Sequence, residues 1–157
     1  MRIAGKILGG ILGLLVATAW VFGFMMESGA VPSDRVQTHD EIGEKHMAVL
    51  LEEGIIARDE RIEFFYSEGL VSVREGGSIV SDRRVMGWSA WDEDELYITE
   101  IASNDIQSVE LIQEGNTFNY AVYAVTGSNA DDYVELWLPH EYGDAERFVA
   151  AIEAKIR

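Results

Sequence analysis

Histidine, carboxylate and hydroxyl side chains are the groups of this chain that could do chemistry, and their spacing limits what they could do. His39, His46 and His140 are its three imidazoles. His39 and His46 stand two helical turns apart, which allows a shared face, but a metal centre needs three or four ligands in tight geometry. A surface or capping role is therefore expected for them. The run Asp92-Glu93-Asp94-Glu95 is acidic enough for calcium. It lacks the alternating oxygens and the turn glycine of a calcium loop, so it reads as an exposed hairpin tip. Ser128, Asp131 and Asp132 are weighed in the same way. No G-x-S-x-G elbow marks a serine nucleophile, and no Lys-Ser/Thr follows the glycines of the N-terminal stretch to make a phosphate loop. The expectation is a protein that is not an enzyme, with no catalytic residue, cofactor or metal. The alternative is a metal-dependent sensor or enzyme built on the acidic loops and His140.

Aromatic side chains offer binding chemistry instead. Trp88, Trp91 and Trp137, with Tyr97, Tyr120, Tyr123 and Tyr133, fall in segments that alternate like strands, and Trp137 alternates against Val134, Leu136 and Leu138. If those aliphatic residues point inward, Trp137 points out. An exposed aromatic cluster on a sheet is a partner patch. Trp88, Trp91 and Trp137 are the candidate patch, and a protein is the expected partner.

Charge narrows the partners further. The chain holds 12 Lys and Arg against 28 Asp and Glu, and no cysteine. Arg2 and Lys6 precede the apolar stretch Ile7–Met26, so the residues beyond that stretch carry 10 bases against 28 acids, a net of −18. Such a surface is repelled by phosphate backbones, which argues against nucleic acid, and by anionic lipid headgroups. The lack of cysteine excludes disulfides and thiolate catalysis.

The element that must position this domain is the first 26 residues. Ile7–Met26 is a stretch of twenty residues without a charge. As a helix it would rise about 30 Å, the hydrocarbon thickness of a bilayer. A signal peptide has a shorter apolar region, about 7–15 residues, so an uncleaved single-pass anchor is expected. The alternative is a soluble periplasmic protein released by cleavage near Ser28-Gly29-Ala30. Arg2 and Lys6 on one flank and Glu27 on the other place the N-terminus in the cytoplasm. The domain then lies outside, in the periplasm or the external medium. Gly5, Gly9, Gly13 and Ala17 recur every four residues. That spacing forms a shallow face for close helix packing, with a homodimer as one outcome.

Residues 27–37 read as a linker and 38–157 as one folded domain. Thr38 and Glu41 form a capping box for a helix over Asp40–Glu53, with Gly54 ending it. Alternating segments come next in the chain, at Ile62–Tyr66, Leu70–Arg74, Ser78–Ser81, Arg84–Trp91, Leu96–Ile101, Ile106–Gln113, Thr117–Val125 and Tyr133–Leu138. Gly143-Asp144 then opens a helix with the stripe Phe148, Val149, Ile152 and Ile156. The fold class is α+β: six or seven antiparallel strands in a bent sheet or open barrel, capped by the C-terminal helix.

Certain residues in this order resemble the bacterial pleckstrin-homology-like domains. The carrying stretches are Phe64-Phe65-Tyr66-Ser67-Glu68-Gly69-Leu70, Ser81-Asp82-Arg83-Arg84-Val85, Asp105-Ile106-Gln107-Ser108-Val109 and the helix Ala145–Ile156. The helix ending near Gly54-Ile55-Ile56 is similar to the lead-in of one branch of that family. The resemblance covers Ile42–Ile156. It implies a seven-stranded bent barrel closed by a C-terminal helix, and it does not imply catalysis. Phosphoinositide binding, known in eukaryotic namesakes, is not carried over, because Arg74, Arg83 and Arg84 stand in a strongly acidic chain.

Overall fold

The computed structural model describes residues 31–92, 95–117, 119–129 and 131–156. The apolar stretch Ile7–Met26, its packing face Gly5, Gly9, Gly13 and Ala17, and the cleavage alternative at 28–30 lie outside the described residues. Among the described residues no helix is long and apolar enough to cross a membrane.

Among the described residues, seven strands form two antiparallel sheets. The first sheet has β1 (Ile62–Ser67), β2 (Gly76–Ser81), β3 (Arg84–Asp92) and β4 (Glu95–Ala102), in that order. The second has β5 (Ile106–Gln113), β6 (Ala121–Gly127) and β7 (Tyr133–Leu138). Among the described residues, two α-helices complete the body: α1 (Glu44–Glu52) before the strands and α2 (Asp144–Glu153) after them. This is the α+β arrangement that the PH-like resemblance implies, with a C-terminal helix closing the sheets.

Alternation decides the core. Val134, Leu136 and Leu138 of β7 are fully buried while Tyr133, Glu135 and Trp137 are exposed, as their period of two predicts. The inward residues of both sheets meet Phe148 and Ile152 of α2, which are also fully buried. Burying a phenylalanine side chain of this kind stabilises by about 1.5–3 kcal/mol. A second apolar cluster lies on the other face of the first sheet, where Phe65, Ile79, Met86 and Trp88 pack with Leu50 of α1 and with Ile55.

Three local expectations change. The helix over Asp40–Glu53 is two pieces, a 3-10 turn at His39–Glu41 and then α1. The Thr38 backbone N–H and hydroxyl do bond the Glu41 carboxylate, at 2.7 and 2.9 Å. Ile42 then turns extended, which buries its side chain, and the helix restarts at Gly43. Gly54 ends α1 with φ of +71°, a left-handed conformation that glycine adopts without strain.

Leu70–Arg74 is a compact loop rather than a strand. The Glu75 carboxylate accepts the backbone N–H groups of Leu70 at 2.8 Å and Ser72 at 3.0 Å, so these groups need no partner strand. Gly69 is required there, because a Cβ would sit 2.0 Å from the Ser72 carbonyl oxygen. The strand read over Thr117–Val125 starts later, at Ala121. Asn116 and Asn119 bond each other in a tight turn, with N–O distances of 2.9 and 3.1 Å.

The end of the stretch read as a linker is docked on the fold. Val31 and Val36 are buried, and Gln37 pairs with Phe65 of β1. The fully buried Asp144 carboxylate at the start of α2 accepts Arg35 Nε at 2.7 Å and the Val36 N–H at 3.2 Å. Residues 31–37 therefore belong to the folded body.

Candidate functional site

The site is built where β7, the edge strand of the second sheet, crosses β2, β3 and β4. Gly87 permits the crossing, and Gly77 makes room for the Trp88 ring. A Cβ on Gly87 would lie 3.0 Å from the Glu135 carbonyl oxygen of β7. A Cβ on Gly77 would lie 2.7 Å from the Trp88 ring and 2.4 Å from the Tyr66 carbonyl oxygen. The missing side chains leave an open groove of about 480 Å³ between the first sheet and the outer face of β7.

Aromatic rings and carboxylates line this groove, together with Ser89 and Thr99, and no Lys or Arg is among its lining residues. Tyr97 stands on one wall, Tyr133 and Trp137 on the other, and Trp88 and the glycines contribute to the floor. Tyr97 is 64% exposed, Tyr133 44% and Trp137 42%, so large apolar area faces the solvent. The Tyr133 hydroxyl donates to the Glu135 carboxylate at 2.8 Å, which orders that wall. Trp137 also meets Tyr120 edge to face, and Tyr120 meets the buried Tyr66. Burial, with a hydrogen bond to Tyr120 adding to it, holds the Tyr66 hydroxyl protonated well above its ordinary range.

Glu68, just past the end of β1, lines the same groove. Burial pushes its carboxyl up to about 7. Among the described residues no donor or cation meets that carboxyl. An ionised carboxylate withdrawn from water without a partner is costly. Glu135, the other acid of the groove, is exposed and accepts the Tyr133 hydroxyl.

Sequence reasoning found part of this. Trp137 is exposed on β7 as expected, and Trp88 is not: it is 4% exposed, its indole N–H donates to the Val73 carbonyl at 2.9 Å, and its ring stacks on Phe65. Trp88 serves the second core and shows the groove only part of its ring. The side chain of Trp91 lies outside the described residues. Tyr97 and Tyr133 belong to the aromatic set weighed from the sequence and line the groove beside Trp137, whereas Glu68 was missed as a site residue. A signal for Glu68 existed, because Phe64 and Tyr66 turn to the barrel interior and a period of two continues that face to residue 68.

The other candidates are placed elsewhere. His46 is buried in α1 rather than at the surface, with Nε2 unpartnered. Desolvation, with Lys45 nearby, lowers its pKa. His39 and His140 are exposed on separate parts of the fold. Among the described residues no group of three or more His, Asp or Glu converges as a metal site. Arg74 pairs with Glu53 at 3.0 Å and Arg83 with Asp59 at 2.5 Å. Arg84 pairs with Glu60 at 2.7 Å and with Glu100. The Ser81–Val85 motif that carries part of the resemblance is thus a structural clasp.

No protein-family model matches the chain, and no curated protein matches it. Among solved structures, the chain is similar to a crystal structure of a DUF1696-family protein with a pleckstrin-homology domain from Shewanella loihica PV-4. The identity is 13%, the match covers 69% of this chain and 91% of that one, and the TM-score is 0.49. The two antiparallel sheets and the C-terminal helix are consistent with a PH-like fold.

Proposed function

We propose that this chain is a single-pass membrane protein that presents a non-catalytic, protein-binding PH-like domain outside the cytoplasm. The observation that carries the binding role is the exposed aromatic wall of the β7 groove. Tyr97, Tyr133 and Trp137 leave large rings in solvent, and such rings dominate binding when a partner covers them. The uncharged stretch Ile7–Met26 supports the membrane role, and the face of Gly5, Gly9, Gly13 and Ala17 supports self-association within the bilayer. The acidic domain is repelled by anionic headgroups, so a covalent anchor explains how it stays at a membrane.

The test uses the full chain in its host membrane. A photo-crosslinking residue at position 133 should trap a discrete partner, and the same residue at the exposed Glu52 position should not. Equal crosslinking at both positions, or none at 133, overturns the binding role. Intact mass of the mature chain checks the anchor: a product lacking residues 1–30 identifies a released periplasmic protein instead. Double substitution Gly9→Ile and Gly13→Ile should abolish dimer crosslinks within the span, and persistence of those crosslinks rules that face out.

A further inference from the structure

We propose that the β7 groove receives the basic side chain of its partner, a lysine or arginine, seated between the Glu68 carboxylate and the rings of Tyr97, Tyr133 and Trp137. This rests on the protein-binding reading and adds the chemistry of the contact.

Four observations converge on it. The groove holds two carboxylates and no basic side chain. Glu68 sits there without a donor or cation among the described residues. An incoming cation supplies the missing partner and removes the cost of a partly buried charge. Exposed Tyr and Trp rings surround the same space. Their faces attract cations, and more strongly when water is displaced. The aliphatic stem of a lysine or arginine meanwhile covers ring surface. Finally, the chain beyond Met26 carries a net of −18, which steers a basic segment toward it and raises its association rate.

An acidic or purely apolar partner would leave Glu68 uncompensated. A phosphate-bearing ligand would meet two carboxylates and no cation. Charge complementarity therefore selects a basic protein segment for this groove.

The test is a titration of the full chain in detergent micelles, followed by the NMR signal of the Trp137 indole N–H. The probes are acetylated, amidated pentapeptides of four glycines around a central lysine, arginine or norleucine. The lysine or arginine peptide should shift the signal saturably, and norleucine, with a similar carbon chain and no charge, at least tenfold more weakly. Glu68→Gln should weaken the basic peptide at least tenfold, with the fold retained as a cooperative thermal transition no lower than that of wild type. Equal binding of norleucine, or a Glu68→Gln affinity within twofold of wild type, overturns the inference. Saturable binding of tetramethylammonium with none of either basic peptide also overturns it, because the occupant is then a small amine. A crosslinked partner at position 133 that is insensitive to Glu68→Gln leaves the binding role standing and removes the basic contact. Peptide binding without any crosslinked partner removes the binding role and keeps the groove chemistry.

Discussion

Glu60 and Glu68 are carboxylates drawn into the same domain, and they end in opposite states. Glu60 is 4% exposed, and its carboxylate takes bonds from Arg84 Nη2 at 2.7 Å, Ser81 Oγ at 2.7 Å and the Ala57 N–H at 3.1 Å. Burial pushes its pKa up, but Arg84, Ser81 and Ala57 together hold it below the usual carboxylate range. Glu68 is half-buried and lacks the partners, and burial raises its carboxyl to about 7. A buried charge whose bonds are complete belongs to the scaffold. One whose bonds are incomplete is held in reserve for something that arrives.

The largest test of this contrast is to take Glu60's partner away. Arg84→Met leaves a fully withdrawn carboxylate uncompensated and should cost about 3–5 kcal/mol in denaturant unfolding. A loss below about 1 kcal/mol would mean that the clasp is incidental. Asp144→Ala probes a second completed site, where Arg35 and the Val36 N–H lose their acceptor. About 2–4 kcal/mol should be lost there, with faster proteolysis ahead of β1 because residues 31–37 undock.

Glu68→Gln should do the reverse. The folded pKa of Glu68 lies above its ordinary value of 4.5. The folded state therefore binds the extra proton between about 4.5 and 7, and the stability this contributes is lost as pH rises through 7. The groups facing Glu68 are Glu135 and the hydroxyls of Tyr97 and Tyr133, with Tyr66 behind it. At pH 8 the variant should be more stable than wild type by on the order of 1–3 kcal/mol, after allowance for solvent screening. At pH 4 the two thermal midpoints should coincide, and a pH-independent difference would remove Glu68 from the contrast. Acid should act oppositely on Glu60, whose stabilisation is present above its ordinary pKa and is lost as pH falls through its lowered one.

The smallest stability effect belongs to the groove wall. Trp137→Ala removes a side chain that is 42% exposed and should change stability by less than about 1 kcal/mol. It should nonetheless abolish the peptide-induced shifts, read on the Trp88 indole signal, because it deletes the main cation-facing ring. Lost stability with retained binding would reverse the assignment of wall and scaffold.

Much of the scaffold was legible from pattern. The strict alternation of Tyr133–Leu138 predicts which face of β7 is wet, and the stripe of Phe148 and Ile152 predicts the plug. Leu70–Arg74 misleads because a single carboxylate, Glu75, replaces the strand partner that the apolar residues suggest. Trp88 misleads because the first sheet is covered on both faces: α1 and its lead-in bury a side that a lone sheet would leave exposed.

By itself the sequence determined the class of the fold, the acidic balance on which the expectation of no nucleic-acid partner rests, and the uncharged stretch proposed as the anchor. These depend on local period and on summed charge, which need no partner in space. Tertiary structure alone decided which acid is satisfied. Glu60 meets Arg84 across 24 residues of chain, and Glu68 shares a groove with Trp137 because β7 crosses the first sheet close over Gly87. Whether a buried charge is paired depends on what the fold brings beside it, and neither carboxylate's immediate sequence carries that information.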